Sequence, residues 1–184
     1  MGGFFGIASK QDCMVDVFFG VDYHSHLSAR RGGMAAYDPE AGLQREIHNI
    51  ENSPFRTKFE HIFNEMFGTS AIGCISDSDA QPLLVRSRLG LYAICIIGLI
   101  NNRKKLVEDF IFANGGHFGA VTNEGINSTE LVAAMINQKD NFADGITYAQ
   151  SLIEGTASIL ILTNHGTIIA SRDRLGRIPV LIGQ

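Results

Sequence analysis

Residues 157–171 read ASILILTNHGTIIAS, two apolar runs on either side of a short polar turn. Apolar runs rich in β-branched residues and joined by a turn of this length predict a β-hairpin. Similar runs predict strands at SAIGCI (70–75), PLLVRS (82–87) and GLYAICIIG (90–98), with a further strand over 173–183. Because hairpin-connected strands pair antiparallel, the sequence indicates mostly antiparallel sheets.

Helices are predicted mainly in the middle of the chain. Residues 12–31 repeat apolar side chains at helical spacing, and residues 53–68 do so over one clear face. There Ser53 can cap the helix, and Pro54 suits its first turn. Three more helices are predicted at RKKLVEDFIFANGG, which ends at Gly115, at NSTELVAAMI, where Asn127 and Glu130 have capping-box spacing, and at ITYAQSLIEG. Strands towards both ends with helices between them indicate an α+β fold.

The composition predicts one globular domain over residues 1–184. Hydrophobic residues make up 45% and charged residues 18% of the chain, typical of a folded protein. A net charge of −4 excludes an electrostatic preference for nucleic acid or anionic membranes. The longest apolar run, LYAICIIGLI, is about half the length that spans a bilayer. The three cysteines are an odd number without CxxC spacing, which favours a reducing cytoplasm over a disulfide framework or zinc site.

Single residues give few signs of chemistry. His24 and His26 are two residues apart, so we interpret them as two solvated histidines. His48, His61 and His117 have no metal-ligand companions at useful spacing. The stretch Ser76-Asp77-Ser78-Asp79 predicts a solvated turn, and Cys13 an inert, partly buried thiol. Local chemistry therefore predicts no metal, no cofactor and no enzyme.

The order of several motifs is more informative. GGFFGI (2–7) stands where one family has Cys-Gly, an apolar pair and Phe-Gly-Ile, and ARRGGMAAYD (29–38) stands in place of His-Arg-Gly-Gln, keeping Arg31 and Gly32. AIGCISDSDAQPLLVRS, INSTELVAAMI and ASRDRLGRIPVLIG match its later motifs in order. On these motifs the chain resembles the class II glutamine amidotransferases, in particular the N-terminal glutaminase domain of amidophosphoribosyltransferase.

The resemblance implies a fold and a chemistry. The fold is a four-layer αββα sandwich, two antiparallel sheets between helices, as in N-terminal nucleophile (Ntn) hydrolases. The first strand would be central, which agrees with reading Phe4, Phe5 and Ile7 as a buried strand. The N-terminal residue would lie in the active site, where a cysteine thiolate attacks the glutamine amide and its own α-amine acts as the base.

The family's reactive groups are replaced in this sequence. Gly2 occupies the nucleophile position, and Ile97, beside the retained Gly98, occupies the position of the oxyanion-hole asparagine. Ser76 stands where the resemblance implies an arginine for the substrate carboxylate, and Ser128 where it implies an aspartate for the substrate amine. The family's histidine positions hold Arg30, Cys74 and Ile96. We therefore predict no catalytic residue, and a remnant substrate pocket formed by Arg31, Ser76, Asp77, Ile97, Gly98 and Ser128.

Three functions follow as alternatives. The first is a non-catalytic domain that acts by binding or assembly, with a separate protein subunit or a second copy of itself as partner. Exposed phenylalanines in 53–68 would support such a surface. The second is a small-metabolite sensor that uses the remnant pocket. The third is a glutaminase or amidotransferase domain of altered chemistry, and the phosphoribosyltransferase half of the resembled enzyme is not expected within these 184 residues.

Overall fold

Two four-stranded antiparallel sheets form the centre of the protein in a computed structural model that describes residues 2–27, 30–115, 117–119, 121–122 and 125–184. The first sheet has the order β1-β4-β2-β3, with β1 (Gly3–Ala8), β2 (Arg31–Asp38), β3 (Gly42–Asn49) and β4 (Ser70–Ser76). The second has the order β10-β9-β6-β5, with β5 (Leu83–Ser87), β6 (Gly90–Ile100), β9 (Gly155–Thr163) and β10 (Ile168–Ser171). A two-stranded ribbon consists of β7 (Val121–Thr122) and β8 (Gly125–Ile126).

Six α-helices in the described residues form the outer layers. On the first sheet lie α1 (Met14–Asp22), α2 (Phe55–Phe59) and α3 (Ile62–Glu65). The others are α4 (Arg103–Asn114), α5 (Ser128–Ile136) and α6 (Phe142–Leu152), on the second sheet. The hydrophobic core has three parts: one under each helical layer and one between the sheets. The predicted four-layer αββα fold is confirmed.

The alternation of side chains along β6 positions the site. Ile94 and Ile96 point to the core beneath α5 and α6, whereas Cys95 and Ile97 point to the layer between the sheets. β9 pairs over its whole length with Tyr92–Ile100 of β6 and sets Ile97 opposite Ser158. The strands predicted at 70–75, 82–87 and 90–98 and the hairpin at 157–171 are confirmed.

Four of the predicted helices are also confirmed, namely the one within residues 12–31 and those at RKKLVEDFIFANGG, NSTELVAAMI and ITYAQSLIEG. α1 is shorter than the predicted 12–31 stretch, and α6 starts earlier than predicted, at an Asn141 cap. α4 ends before Gly115, which adopts the left-handed conformation. The Asn127 side chain accepts the backbone N–H groups of Thr129 and Glu130, so it caps α5 as the sequence indicated. None of the described helices is long and apolar enough to cross a membrane.

The expectation of a central, buried first strand is wrong. β1 is an edge strand that pairs with β4, and its residues alternate between half-buried and exposed. Phe5 and Ile7 pack against the core under α1, and Phe4 packs against the layer between the sheets. The three apolar residues are buried from the faces of the sheet only, because one edge of β1 has no neighbouring strand in the described structure.

The single helix predicted over 53–68 is also wrong. The structure has two short helices, α2 and α3, interrupted at Glu60–His61, and Pro54 occupies the cap position without a side-chain cap from Ser53. The apolar face survives the break, since Phe55, Phe59, Ile62 and Met66 are all buried. At the interruption the His61 side chain bonds to Glu46 on β3.

Two further differences concern strands. Residues 173–183 form no strand in the described structure, because the buried Asp173 carboxylate accepts the N–H groups of Leu175 and Ile178 and folds the segment into a turn. The hairpin of β2 and β3 was not predicted. β2 lies between β3 and β4, and five of its eight residues are buried.

Candidate functional site

A cavity of about 460 Å³ lies at the end of β6, beside the first turns of α4 and α5. Six of the seven positions that the resemblance assigns to the site line this cavity: Gly2, Ser76, Asp77, Ile97, Gly98 and Ser128. The seventh, Arg31, lies opposite Ser76 in the pairing of β2 with β4 and is not among the lining residues. The fold thus brings together residues from four separate stretches of the chain.

The backbone at Gly2 leaves no room for a side chain. A Cβ atom at this position would lie 2.0 Å from the carbonyl oxygen of Ile75 on β4, a distance that real Cβ atoms essentially never show. It would also lie 3.2 Å from Cδ1 of Ile97. A cysteine at position 2 would therefore require the backbone near Ile75 to shift.

Ile97 and Gly98, on β6, line the cavity beside Gly2. Ile97 packs against the core layer between the sheets, so an apolar side chain stands where the resemblance implies the oxyanion-hole asparagine. Gly98 lies so close to β9 that a Cβ there would be 2.1 Å from the carbonyl oxygen of Thr156. The retained glycine thus serves the approach of β6 to β9, a structural role that does not depend on catalysis.

The loop after β4 differs from the solvated turn that we expected. Ser76 and Asp79 are both buried. Oδ2 of Asp79 accepts the backbone N–H of Ser128 at 3.1 Å, which satisfies one of the free N–H groups at the start of α5. Asp79 is therefore a structural group that holds the helix against the cavity, and a cation is not needed to explain the acidic residue.

Gln81, one of the residues that line the cavity, is held to the backbone of β6 by hydrogen bonds. Its side-chain amide donates to the Ile96 carbonyl at 2.9 Å, and its side-chain oxygen accepts the Ile96 N–H at 2.8 Å. The same oxygen accepts the hydroxyl of Thr129 at 2.8 Å. Both Gln81 and Thr129 are buried, so these bonds connect the loop after β4, strand β6 and helix α5 away from solvent.

The cavity combines positive and negative groups. Arg103 and Lys104, in the first turn of α4, line it together with Asp77. Nη1 of Arg103 also donates to Oγ of Ser128 at 3.4 Å. Arg103 and Lys104, at the N-terminus of α4, place positive charge on one side of the cavity, which suits an anionic group of a small molecule, whereas the first N–H groups of α5 are already bonded to Asp79 and Asn127.

All three cysteines are buried and free. Burial, together with the carboxylates of Asp12 and Asp16, raises the pKa of Cys13 to about 11. Burial and the neighbouring Cys74 thiol raise the pKa of Cys95 well above its usual range. Since the thiolate is the reactive form, neither arrangement produces an activated nucleophile at neutral pH. Cys13 is fully buried, which corrects the expectation of a partly buried thiol, and its burial agrees with the interpretation of an inert one.

The histidines next to the N-terminal strand are not equivalent. His26 is exposed, as expected, but His24 is half-buried and packs on Gly3, where a Cβ would lie 2.4 Å from its Nδ1 atom. Burial, and to a smaller degree His26, lowers the pKa of His24. The imidazole is thus close to the start of β1, but the position beside it at Gly2 offers no group to activate.

The expectation that His48 and His61 have no metal-ligand companions is wrong. Both imidazoles converge on one carboxylate oxygen of Glu46. Glu46 and His48 are two residues apart. On a helix this spacing would place them on different faces, but on the strand β3 it places them on the same face. The sequence analysis missed this cluster because it assigned no strand to residues 42–49.

Comparisons with known proteins place the fold. Models of protein families and curated proteins give no match to this sequence. Among solved structures, the chain is similar to glutamine phosphoribosylpyrophosphate (PRPP) amidotransferase from B. subtilis, complexed with ADP and GMP. That likeness has a TM-score of 0.78 and 24% identity over 96% of this chain and 38% of the other. A second structure, of an allosteric regulatory enzyme of purine biosynthesis, gives 0.77 and 22% over 94% and 37%.

A third likeness covers a larger share of the other chain. It is to a glutamine aminotransferase class-II domain protein from Silicibacter pomeroyi, with a TM-score of 0.58 and 14% identity over 94% of this chain and 76% of the other. The chain thus spans just over a third of the length of each of the first two structures. At these identities the likeness defines the architecture, and function has to be argued from the site. The chain has the Ntn-hydrolase-like fold of the glutamine amidotransferase structures.

Proposed function

We propose that residues 1–184 form a glutamine amidotransferase-like domain that does not hydrolyse glutamine and acts by binding or assembly. The observation that carries the proposal is the wall formed by Gly2, Ile75 and Ile97. The nucleophile position has no side chain and no space for one, and the nearest side-chain atom beyond the first strand belongs to an isoleucine. Covalent attack on an amide therefore has no group to start from.

The replacements at the other site positions also argue against glutamine hydrolysis. Loss of one oxyanion-hole donor costs roughly 10²–10³ in rate in enzymes that retain their nucleophile. Ile97 adds apolar surface where negative charge would develop. Ser76 and Ser128 carry no charge to pair with the carboxylate and amine of an amino-acid substrate. Both substrate binding and transition-state stabilisation are thus weakened.

An ammonia-release assay tests the proposal. The full chain, with its N-terminus verified by intact mass, is incubated with glutamine and compared with a heat-inactivated sample. We expect the two rates to agree. Ammonia release above the control would contradict the proposal and would favour the alternative of a glutaminase or amidotransferase domain of altered chemistry.

Assembly is supported by an apolar stripe on α1. Val15, Phe19 and Tyr23 follow each other at four-residue spacing and are all at least half exposed. Phe67, from the predicted 53–68 helix, is also exposed, whereas Phe63 is largely covered. We propose that a separate protein subunit or a second copy of the chain covers the α1 stripe. Light scattering across a range of concentrations tests self-assembly, for which the mass would rise with concentration.

A small-metabolite sensor is the second candidate, and the cavity favours it. Arg103 and Lys104 in the first turn of α4 suit a carboxylate or phosphate group, and Asp77 offers an acceptor for an amine or hydroxyl. Thermal shift with glutamine, glutamate and phosphoribosyl pyrophosphate tests it, since a ligand that binds only the folded state raises the melting temperature. No shift with any of the three would leave assembly as the better proposal.

The cellular setting belongs to the same proposal. Three free, buried cysteines are compatible with a reducing cytoplasm. The likeness to an amidotransferase and to an enzyme of purine biosynthesis suggests a role related to that biosynthesis. A melting-temperature shift with phosphoribosyl pyrophosphate would support this relation.

A further inference from the structure

A second candidate site lies outside the cavity, between β3 and the junction of α2 and α3. Oε1 of Glu46 is 2.7 Å from Nε2 of His61 and is also hydrogen-bonded to Nε2 of His48. One ligand atom from each residue lies within 4.8 Å of the other two. Three potential metal ligands therefore converge on one point of the structure.

The fold explains why they converge. Glu46 and His48 point to the same face of β3, the face covered by α2 and α3. His61 lies where the helical segment is interrupted, so its side chain reaches down to the strand. The interruption that contradicted the sequence prediction is thus the feature that completes the cluster.

The imidazole of His48 is held in place by the core. Its ring packs edge-to-face on Phe59, with ring centroids 4.9 Å apart, and Phe59 stacks on Phe55 at 4.4 Å. Both phenylalanines are buried. A ligand fixed by packing loses little conformational entropy when it binds an ion, so the cluster is pre-organised on this side.

The cluster is also accessible from solvent. The side chains of Glu46, His48 and His61 are 23%, 32% and 40% exposed. An ion can therefore enter without opening the core, and a water molecule can occupy a further coordination position. Two imidazole nitrogens and one carboxylate oxygen are a ligand set that zinc uses with one open position.

We propose that Glu46, His48 and His61 bind a divalent transition-metal ion of the zinc type. Calcium and magnesium prefer sites built from oxygen ligands, so two imidazoles argue against them. Ligand atoms around a tetrahedral zinc ion are about 3.3 Å apart for metal–ligand distances near 2.0 Å. The Glu46 carboxylate oxygen, 2.7 Å from Nε2 of His61, must withdraw from that nitrogen by about half an ångström to admit the ion, a movement that its partly exposed side chain permits.

Binding at this site has a structural consequence. The ion would link the edge strand β3 to the α2–α3 segment in the folded state only. It therefore stabilises the fold by mass action, and the melting temperature rises by roughly 5 °C when free metal is about 100 times the dissociation constant. The proposal does not depend on the function proposed for the cavity.

Metal titration of the full chain, without a histidine tag, tests the proposal. Zn²⁺ is followed by calorimetry, and Co²⁺ by its visible absorption, which reports on tetrahedral nitrogen and oxygen ligands. We expect one ion per chain. His61→Gln should weaken binding by more than about 100-fold, because loss of even an outer-shell partner commonly costs 10–100-fold.

Two further variants make the result specific. Glu46→Gln removes the carboxylate charge with little change in size, and we expect it to weaken binding as His61→Gln does. His165→Gln is the matched control, because His165 is an exposed histidine in the turn between β9 and β10. Circular dichroism in chelator verifies that each variant is folded. Unchanged Zn²⁺ affinity in folded His61→Gln and Glu46→Gln, or absence of binding by the native chain, would overturn the proposal.

Discussion

The cavity at the end of β6 and the Glu46–His48–His61 cluster differ in what they retain. The cavity has the position and the enclosing walls of an active site, but its lining offers Gly2 and Ile97 where reactive groups would be needed. The cluster has converging metal-ligand groups whose side chains are partly exposed to solvent. The place of a site in the fold therefore does not determine its chemistry. In this chain the cavity has the position of an active site, whereas the converging polar groups lie at the cluster.

The two regions also differ in how the backbone supports them. Around the cavity, the side chains of Gln81 and Asp79 form hydrogen bonds to β6 and α5, so these polar groups are engaged in the scaffold. At the cluster, aromatic packing supplies the support and leaves the polar atoms directed to one point. Substitutions of the supporting residues should consequently have different effects on binding in the two regions.

The largest expected effect is at the support of the cluster. Phe59→Ala should lower the free energy of unfolding by about 3–5 kcal/mol, because it removes a fully buried ring and leaves a cavity. It should also weaken metal binding, since His48 loses its packing partner. Urea unfolding and Zn²⁺ titration measure the two effects.

Phe112→Ala is the matched control for that change. The Phe112 side chain is 95% exposed, so its removal should alter stability by no more than about 0.5 kcal/mol. If Phe59→Ala bound Zn²⁺ as tightly as the native chain, the claim that packing pre-organises His48 would be wrong.

The next effect concerns the support of the cavity. Gln81→Ala should lower the free energy of unfolding by about 2–3 kcal/mol, because the N–H and carbonyl of Ile96 lose buried partners. Gln138→Ala is the control, since its one side-chain bond is long, 3.5 Å, and exposed. Equal loss of stability in the two variants, measured by urea unfolding, would show that the Gln81 bonds are not important to the scaffold.

A third change tests the barrier to catalysis. Gly2→Cys combined with Ile97→Asn restores two of the groups that the resemblance implies, yet we expect no glutamine hydrolysis. The new side chain at position 2 collides with Ile75, and Ser76 and Ser128 still lack the charges that would hold the substrate. Gly183→Cys is the control for stability, because a Cβ there meets no atom within 4 Å. Hydrolysis by the double variant would contradict the expectation that the contact with Ile75 and the missing charges prevent the reaction.

The smallest effect is a pH dependence next to the cavity. The pKa of His24 is lowered by burial and by His26, so the folded state favours the neutral imidazole. The corresponding stability is fully present above the ordinary value of 6.5 and is lost as the pH falls below it towards the folded-state pKa. Unfolding free energies at pH 7.5 and 5.5 should show a smaller difference in His24→Asn than in the native chain, while the exposed His165→Asn should match the native chain. An identical difference in all three would contradict this assignment.

Much of the fold could be predicted from the sequence where local pattern and tertiary structure agree. The strands and helices of the second sheet have continuous apolar runs or clear caps, such as Asn127, and nearly all were predicted. The first sheet was harder. β3 mixes charged and apolar residues without clear alternation, and the break between α2 and α3 depends on a contact of His61 with a distant strand.

At the candidate site, too, some features could be predicted from the sequence and others depend on distant contacts. The resemblance named residues that the fold brings to one cavity, but the sequence could not show that Asp79 is buried or that the Gly2 backbone excludes a side chain. Each depends on a distant part of the chain: the Gly2 backbone lies against Ile75 of β4, and Asp79 bonds to Ser128 of α5. The cluster was missed because its three residues share a site only through the register of β3 and its position beneath α2 and α3.

The most direct measurement is the rate at which glutamine labelled in its amide nitrogen releases labelled ammonium. Nuclear magnetic resonance monitors this rate in the presence of the native chain at high protein concentration. The account predicts that labelled ammonium forms no faster than in buffer, because Gly2, at the position where the resemblance implies the nucleophile, has no side chain and no room for one. Ammonium that forms faster than in buffer, in proportion to the amount of protein, would contradict it.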